Sequence, residues 1–281
     1  RAIIDALAGL TEPVRVGVLA PSAAVEGVAA LGRTLSDFAL SPADGTTDLE
    51  GLAALIVLAD GAGSLPADAR RVVDAVLDRG RGVLILGGRR VAVDGESGFE
   101  VVASPSDPSR LLSGTGISLG DDVVVDPSCA RVSLPSGPGR LFLSYPPFVR
   151  AQVRLPGGSG EATGVFPFAS PLRIEGDAEV EVLARSSTES WLAGGEGGWD
   201  PSRAWRPAER AQSYPLAAAV TLPERAGGGG GGRLVVVSTA RLALGEGPTL
   251  DDNAAILAAL VAWAADVEDV LLLGTEEAEE P

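Results

Sequence analysis

The sequence contains no histidine, no methionine and no lysine; all 22 of its basic residues are arginine. Without histidine there is no Ser-His-Asp or Cys-His arrangement and no ordinary zinc site. Without lysine there is no Schiff base, and no phosphate-gripping lysine of a nucleotide-binding loop. Cys129 is the one cysteine, so no internal disulfide forms. With no histidine to take its proton it reads as a small packed residue, not a nucleophile. Positive charge is scarce: 22 basic residues face 38 acidic ones, for a net −16 and an isoelectric point near 4.4. That balance argues against a nucleic-acid partner and equally against docking on anionic lipid. Long apolar runs are missing too. Ala254 to Ala265 comes closest, is cut off by Asp266, Glu268 and Asp269, and falls short of the roughly 20 residues that span a bilayer. The sequence opens at Arg1 with no methionine anywhere, and so reads as a piece of something longer.

What is present is material for a large core: 281 residues, 46% of them hydrophobic. The stretch from Leu55 to Gly88 organises the rest. Leu55-Ile56-Val57-Leu58-Ala59 is an unbroken apolar run, which suits a strand buried on both faces. Pro66 suits the first turn of a helix in which Val72, Val73, Val76 and Leu77 recur at helical spacing, and Gly80 stops it. Val83 to Leu86 then forms a second buried run that closes at Gly87-Gly88. Strand, helix, strand with short joints predicts a βαβ crossover and a parallel sheet.

Around this unit the pattern predicts a helix over residues 2–10 and a strand at Val14–Leu19. A helix over 23–38 carries Val25, Val28, Leu31 and Leu35 on one stripe. Residues 89–108 read as loop with a short strand near Phe99 to Val102. A Pro/Gly-rich β elaboration covers about 127–212, with short strands at 141–143 and 151–154. Strands follow at 214–222 and 234–237, then a helix over 253–265 capped by Asp251 or Asp252, and a last strand at 270–273. The tail at 275–281 is acidic and is expected to be disordered. The expected architecture is a single α/β domain over 1–281. Its central sheet is largely parallel, flavodoxin-like or class I amidotransferase-like in outline.

Few residues suggest chemistry. Asp60 to Ser64 follows a strand and precedes a helix, where α/β proteins bind ligands. A dinucleotide fingerprint would need a third glycine where Pro66 stands, so the bland reading is a plain strand-to-helix turn. Glu175, Asp177, Glu179 and Glu181 could supply a glycosidase's carboxylates, but their alternation reads as the wet face of one strand. Asp121-Asp122 and Asp251-Asp252-Asn253 lack the glycine-punctuated loop of calcium sites. Tryptophan faces stack on sugars and dominate interfaces. Trp191 and Trp263 read as core, while Trp199 and Trp205 read either as loop cover or as ligand contacts. The candidate contacts are therefore Asp60, Ser64, Trp199 and Trp205, with no catalytic, cofactor or metal residue assigned.

The ordered segments "EPVRVGVL", "LIVLAD…LPADARRVVDAVLDRGRGVLILGG", "GISLGDDVVVDPS", "VFPFASPL", "SSTESW", "YPLAAAV", "RLVVVSTARL" and "DDNAAILAALVAWAA" together resemble the soluble domain of gliding-motility-type ABC transporter auxiliary proteins (GldG-like), over roughly Glu12 to Ala265. That domain is similar in fold to a module of intraflagellar transport proteins. The resemblance implies a non-catalytic domain on the extracytoplasmic (periplasmic) face of the bacterial inner membrane, held by flanking helices absent from this sequence. It also implies an ABC permease and ATPase as partners and a glycan or protein ligand. Ser238-Thr239-Ala240 departs from the acidic turn common in the family, and the loop through Trp199 and Trp205 is unusual. Two other readings are a carboxylate-dependent glycan hydrolase, which needs two acids in one cleft, and an amidotransferase-like fold that has lost its nucleophile. The latter expects an empty pocket at the end of the 83–86 strand.

Overall fold

Four short strands form a parallel half-sheet: β1 (Arg15–Leu19), β2 (Ala39–Pro42), β3 (Ala54–Leu58) and β4 (Gly82–Leu86), in the order β2-β1-β3-β4. The computed structural model describes residues 13–46, 48–95, 98–136, 139–158, 160–176, 179–194, 197–202, 204–206, 210–223, 231–244 and 250–267. The expected helix at 2–10, strand at 270–273 and acidic tail lie outside them.

The apolar runs are explained by a sheet covered on both sides. Along β3, Ala54, Ile56 and Leu58 join one cluster with Val16, Val18, Leu31 and Leu35. Leu55 and Val57 join the other with Val72, Val73 and Val76. Period-two alternation thus sends successive residues into two cores, and all five residues of β3 and of β4 are buried. The helix Val25–Thr34 and the helix Leu250–Ala264 cover one face, and the helix Ala69–Leu77 covers the other. The helix Ala69–Leu77 stops as its sequence demands. Gly80 takes φ +70, its N–H reaches the Leu77 carbonyl, and the Arg81 N–H reaches that of Val76, the paired bonds of a Schellman end.

After β4 the chain leaves the sheet. A hairpin of β5 (Arg90–Gly95) and β6 (Gly98–Ala103) follows, then a 3₁₀ turn at Pro108–Leu112, β7 (Ile117–Leu119) and β8 (Val123–Val125). β9 (Cys129–Ser136) and β10 (Gly139–Arg154) come next, then β11 (Glu161–Pro167), β12 (Leu172–Ile174) and β13 (Val180–Arg185). β14 (Trp191–Ala193), β15 (Gly197–Trp199), β16 (Pro215–Thr221) and β17 (Arg233–Val237) complete the strands. β17 pairs in parallel with β4, so the parallel half reads β2-β1-β3-β4-β17, the doubly wound order of flavodoxin-like folds. Beyond β17 the sheet turns antiparallel through β16, β13, β10 and β11. The protein is α/β with one large mixed central sheet. The Pro/Gly-rich stretch supplies four of its strands, β9, β10, β11 and β13.

Both ends of the sheet are guarded against further pairing. β2 is short and ends at Pro42, which has no N–H to offer. At the far end the buried Asn253 amide accepts from Val165 N–H at 2.9 Å and donates to the Val165 carbonyl at 3.0 Å, sealing the outer rim of β11.

The structure differs from the sequence pattern in four places, the first being that Val25, expected on the apolar stripe of the first helix, is 72% exposed. Residues 90–103, expected as loop with one short strand, form the β5–β6 hairpin, whose outer strand takes β15 as a third partner. The strands expected at 141–143 and 151–154 are one strand, β10. Pro146-Pro147 sits at an irregularity in its pairing with β9 between Ser144 and Val149, which disguises the continuity. The first helix ends at Thr34 and the chain turns through 35–38.

Candidate functional site

In a doubly wound sheet the ligand crevice lies at the carboxyl ends of the parallel strands, where the order reverses between β1 and β3. Asp60, two residues past β3, stands there. Its Oδ1 accepts from the Ala62 N–H at 3.0 Å, and its Oδ2 lies against Gly27 in the first turn of the helix that follows β1. That turn also carries Glu26. Helix N-termini attract anions, and here the Asp60 carboxylate lies against the first turn. Ser64 lies exposed on the same loop.

The neighbouring strand ends are closed. Gly61 adopts φ +86 and lies so close to Val91 that an added Cβ would be 2.6 Å from its Cγ2. The Gly61 N–H donates to Ser106 Oγ at 2.8 Å. At the end of β4, a Cβ on Gly88 would lie 2.7 Å from both Ser170 Oγ and the Ser238 carbonyl oxygen. What remains is a cavity of about 20 Å³ bordered by Asp60, Gly88, Val91, Phe168, Thr239 and Arg241, room for about one water. The reading of a vacated nucleophile pocket needs open space here, and the strand ends fill it.

Arg241 crosses the top of this cavity. Its Nη2 donates to the Ala92 carbonyl at 2.6 Å, and its guanidinium lies over Phe99 and Phe168, 5.6 and 5.8 Å from the ring centroids. Burial pushes its pKa below the usual arginine range. It therefore ties the β5–β6 hairpin down over the sheet while resting on rings that favour a cation. Phe168 holds φ +53, an uncommon conformation for a bulky residue, and its N–H donates to the Pro147 carbonyl at 2.8 Å.

Behind Arg241 the aromatic residues converge. Phe99, Tyr145, Phe148, Phe168, Trp199 and Trp205 make ring contacts with centroids 5.1 to 6.1 Å apart. Trp199 is 3% exposed, and its carbonyl accepts from the Tyr145 hydroxyl at 2.6 Å. Its rings are spent on packing. Trp205, 5.3 Å away, sits half-buried at the rim. The structure thus pairs Trp199 with Trp205 and Asp60 with Ser64, and the small cavity touches both groups through Phe168 and Asp60. Trp191 and Trp263 are buried, at 5% and 9% exposure.

The acids do not assemble. Glu179 and Glu181 are exposed, Glu175 accepts from Ser118 Oγ on the surface, and Asp177 lies outside the described residues. Among the described residues the one buried carboxylate is Asp126. It accepts from Ser128 N–H, Ser187 N–H and Ser187 Oγ at 2.6 to 2.8 Å, which binds two loops together. Cys129 is half-buried, and burial together with the nearby Asp126 charge raises its thiol pKa. Arg241, Phe168 and Val91 were not legible as site residues. The one sequence signal was an arginine directly after Ser238-Thr239-Ala240, at the end of a buried strand.

The family described as "ABC-type uncharacterized transport system" (ABC_transp_aux) matches residues 15–241. The chain belongs to this family. The match to the ABC transport auxiliary family takes in the parallel half, the hairpin lid and Arg241, and stops before the last helix. No curated protein matches the chain. Among solved structures, that of the "mmIFT52 N-terminal domain" is similar at a TM-score of 0.51 and 16% identity, over 90% of this chain and 97% of that one. A "Polyextremophilic Beta-galactosidase from the Antarctic haloarchaeon Halorubrum lacusprofundi" follows at 0.40 and 14%, over 93% of this chain and 30% of that one. PurLQS from Thermotoga maritima stands at 0.41 and 11%, over 90% of this chain and 99% of that one. As an ABC transport auxiliary protein the chain is a component of a membrane-associated transport system. Among its described residues no helix is long and apolar enough to cross a membrane.

Proposed function

We propose that this domain is a non-catalytic binding and scaffolding module of a gliding-motility-type ABC transport system. It works on the extracytoplasmic face of the inner membrane, beside the permease and ATPase. The observation that carries the reading is the closed crevice. Where a doubly wound enzyme keeps its ligand, this member of a transport family packs Val91, Arg241 and an aromatic core, with Asp60 against the helix terminus. Such a domain acts through its surface. Asp60, Ser64 and Trp205, on or near the rim of the carboxyl edge, are the contacts for a glycan or protein ligand, with Trp199 as the buried support of Trp205.

Co-expression of the tagged chain with the permease and ATPase of its own system tests this. The three should purify together. Ser64→Arg, at an exposed loop position, should weaken the association or the retention of a glycan ligand without shifting the unfolding midpoint. Asp60→Arg and Trp205→Ala should weaken it as well, at some cost in stability because both side chains also make structural contacts. Turnover of glycosides, glutamine or nucleotides by the purified chain would overturn the proposal.

A further inference from the structure

Residues Gly139–Ser144 of β10 pair with Ser136–Arg131 of β9 and, among the described residues, with no other strand. This ribbon continues β10 beyond the last rung of β11, where Phe148 meets Pro167. At 3.4 Å per residue it extends about 20 Å. Leu141 is 47% and Phe142 61% exposed. As neighbours on one strand they face opposite sides of the ribbon, so each face carries a bare apolar side chain. An isolated two-stranded ribbon is marginal in water, and this one gains nothing from leaving both uncovered.

Charge is segregated in the same stretch. Between Asp126 and Glu161 the sequence has no acidic residue and four arginines, Arg131, Arg140, Arg150 and Arg154, in a chain of net charge −16. Arg131 and Arg140 lie on the arm itself, and Arg131 is exposed; Arg150 and Arg154 lie farther along β10, where it pairs with β11. We propose that the β9–β10 arm is a membrane-docking element: Leu141 and Phe142 enter the interface of an anionic lipid bilayer while the arm's own arginines, Arg131 and Arg140, meet its headgroups. Apolar exposure on both faces favours lipid over a protein groove or an added strand, each of which covers one side of a ribbon. The whole-chain charge opposes this docking. Screening limits that opposition, because exposed charges more than about 8 to 10 Å apart interact weakly near physiological salt, and the arm reaches about twice that far. One such element gives reversible attachment, suited to orienting a domain held near the membrane by other means. The inference deepens the proposed location but stands on the arm alone.

Flotation of the 281-residue chain with vesicles tests it, comparing phosphatidylcholine alone with equal parts phosphatidylcholine and phosphatidylglycerol. The chain should float with the anionic vesicles and not with the neutral ones. Leu141→Ser with Phe142→Ser should cut the bound fraction at least about tenfold, as should Arg131→Glu with Arg140→Glu, with circular dichroism unchanged. A wild-type chain that stays in the buffer, or variants that float as well as wild type, would overturn the proposal. So would a concentration-dependent dimer, seen by light scattering, that the serine variant abolishes without any effect on flotation. The assay contains no transporter, so its failure leaves the transport reading standing.

Discussion

Gly61 shows how much one hydrogen atom can hold at the site. Its φ of +86 disfavours any L side chain, and an added Cβ would lie 2.6 Å from Val91 Cγ2. The left-handed conformation costs about 1 to 2 kcal/mol and overpacking about 1 to 3, so Gly61→Ala should destabilise by about 2 to 5 kcal/mol in urea unfolding. Part of that loss belongs to Val91, so a double-mutant cycle with Val91→Ala should show coupling of about 1 kcal/mol or more. Additive losses would mean the lid does not bear on this turn. A second residue-scale test concerns Cys129. Burial and the Asp126 charge raise its pKa, so less thiolate exists at any given alkaline pH. Iodoacetamide should modify it several-fold more slowly than a free cysteine at pH 8, with the rate still climbing past pH 9. A rate matching free cysteine at pH 8 would contradict that burial. At this scale the sequence was a partial guide. Asp60 could be found by its place after a buried strand. Arg241 could not, because its partners Ala92, Phe99 and Phe168 are distant in sequence and come together only when the long excursion after β4 closes.

Elements were legible in proportion to how local their causes are. The runs at 55–59 and 83–86 announce strands buried on both sides, and each is fully paired in a parallel sheet. The hairpin at 90–103 was hidden, since its partners β15 and Arg241 lie far along the chain. The last helix was visible, but what it rests on was not. At its C-terminal end the Ala264 carbonyl sits directly over Gly82, where an added Cβ would run into backbone that has little room to give. Gly82→Ala should therefore push the helix off the first residue of β4 and cost about 1 to 3 kcal/mol. At the other end of the same element, Asn253→Ala leaves the Val165 N–H and C=O without their partners. Each unmet buried group costs about 1 to 3 kcal/mol. That variant should also lose amide-exchange protection at Val165 specifically. Protection that persisted there would mean that another group seals the β11 rim.

For the whole molecule the dominant fact is charge. The described ion pairs, Arg70–Asp74, Arg71–Asp68, Arg89 with Asp107 and Asp121, and Arg233–Asp266, are all at least partly exposed, and such pairs are worth little. They leave an excess of 16 negative charges repelling one another in the folded chain. Salt shortens the reach of that repulsion, from about 30 Å at 0.01 M to about 8 Å at 0.15 M. The unfolding midpoint should therefore rise with sodium chloride, by a few tenths to about 1 kcal/mol in stability. Attachment of the β9–β10 arm to anionic vesicles should fall over the same range, because there salt screens an attraction between arginine and headgroup. The two trends have opposite signs and arise from different parts of one chain, so a general salt effect on solubility or on the assay cannot produce both. A stability that fell with salt would mean that attractions among paired charges outweigh the net repulsion. Vesicle binding that rose with salt would mean that the arginines of the arm take no part in it.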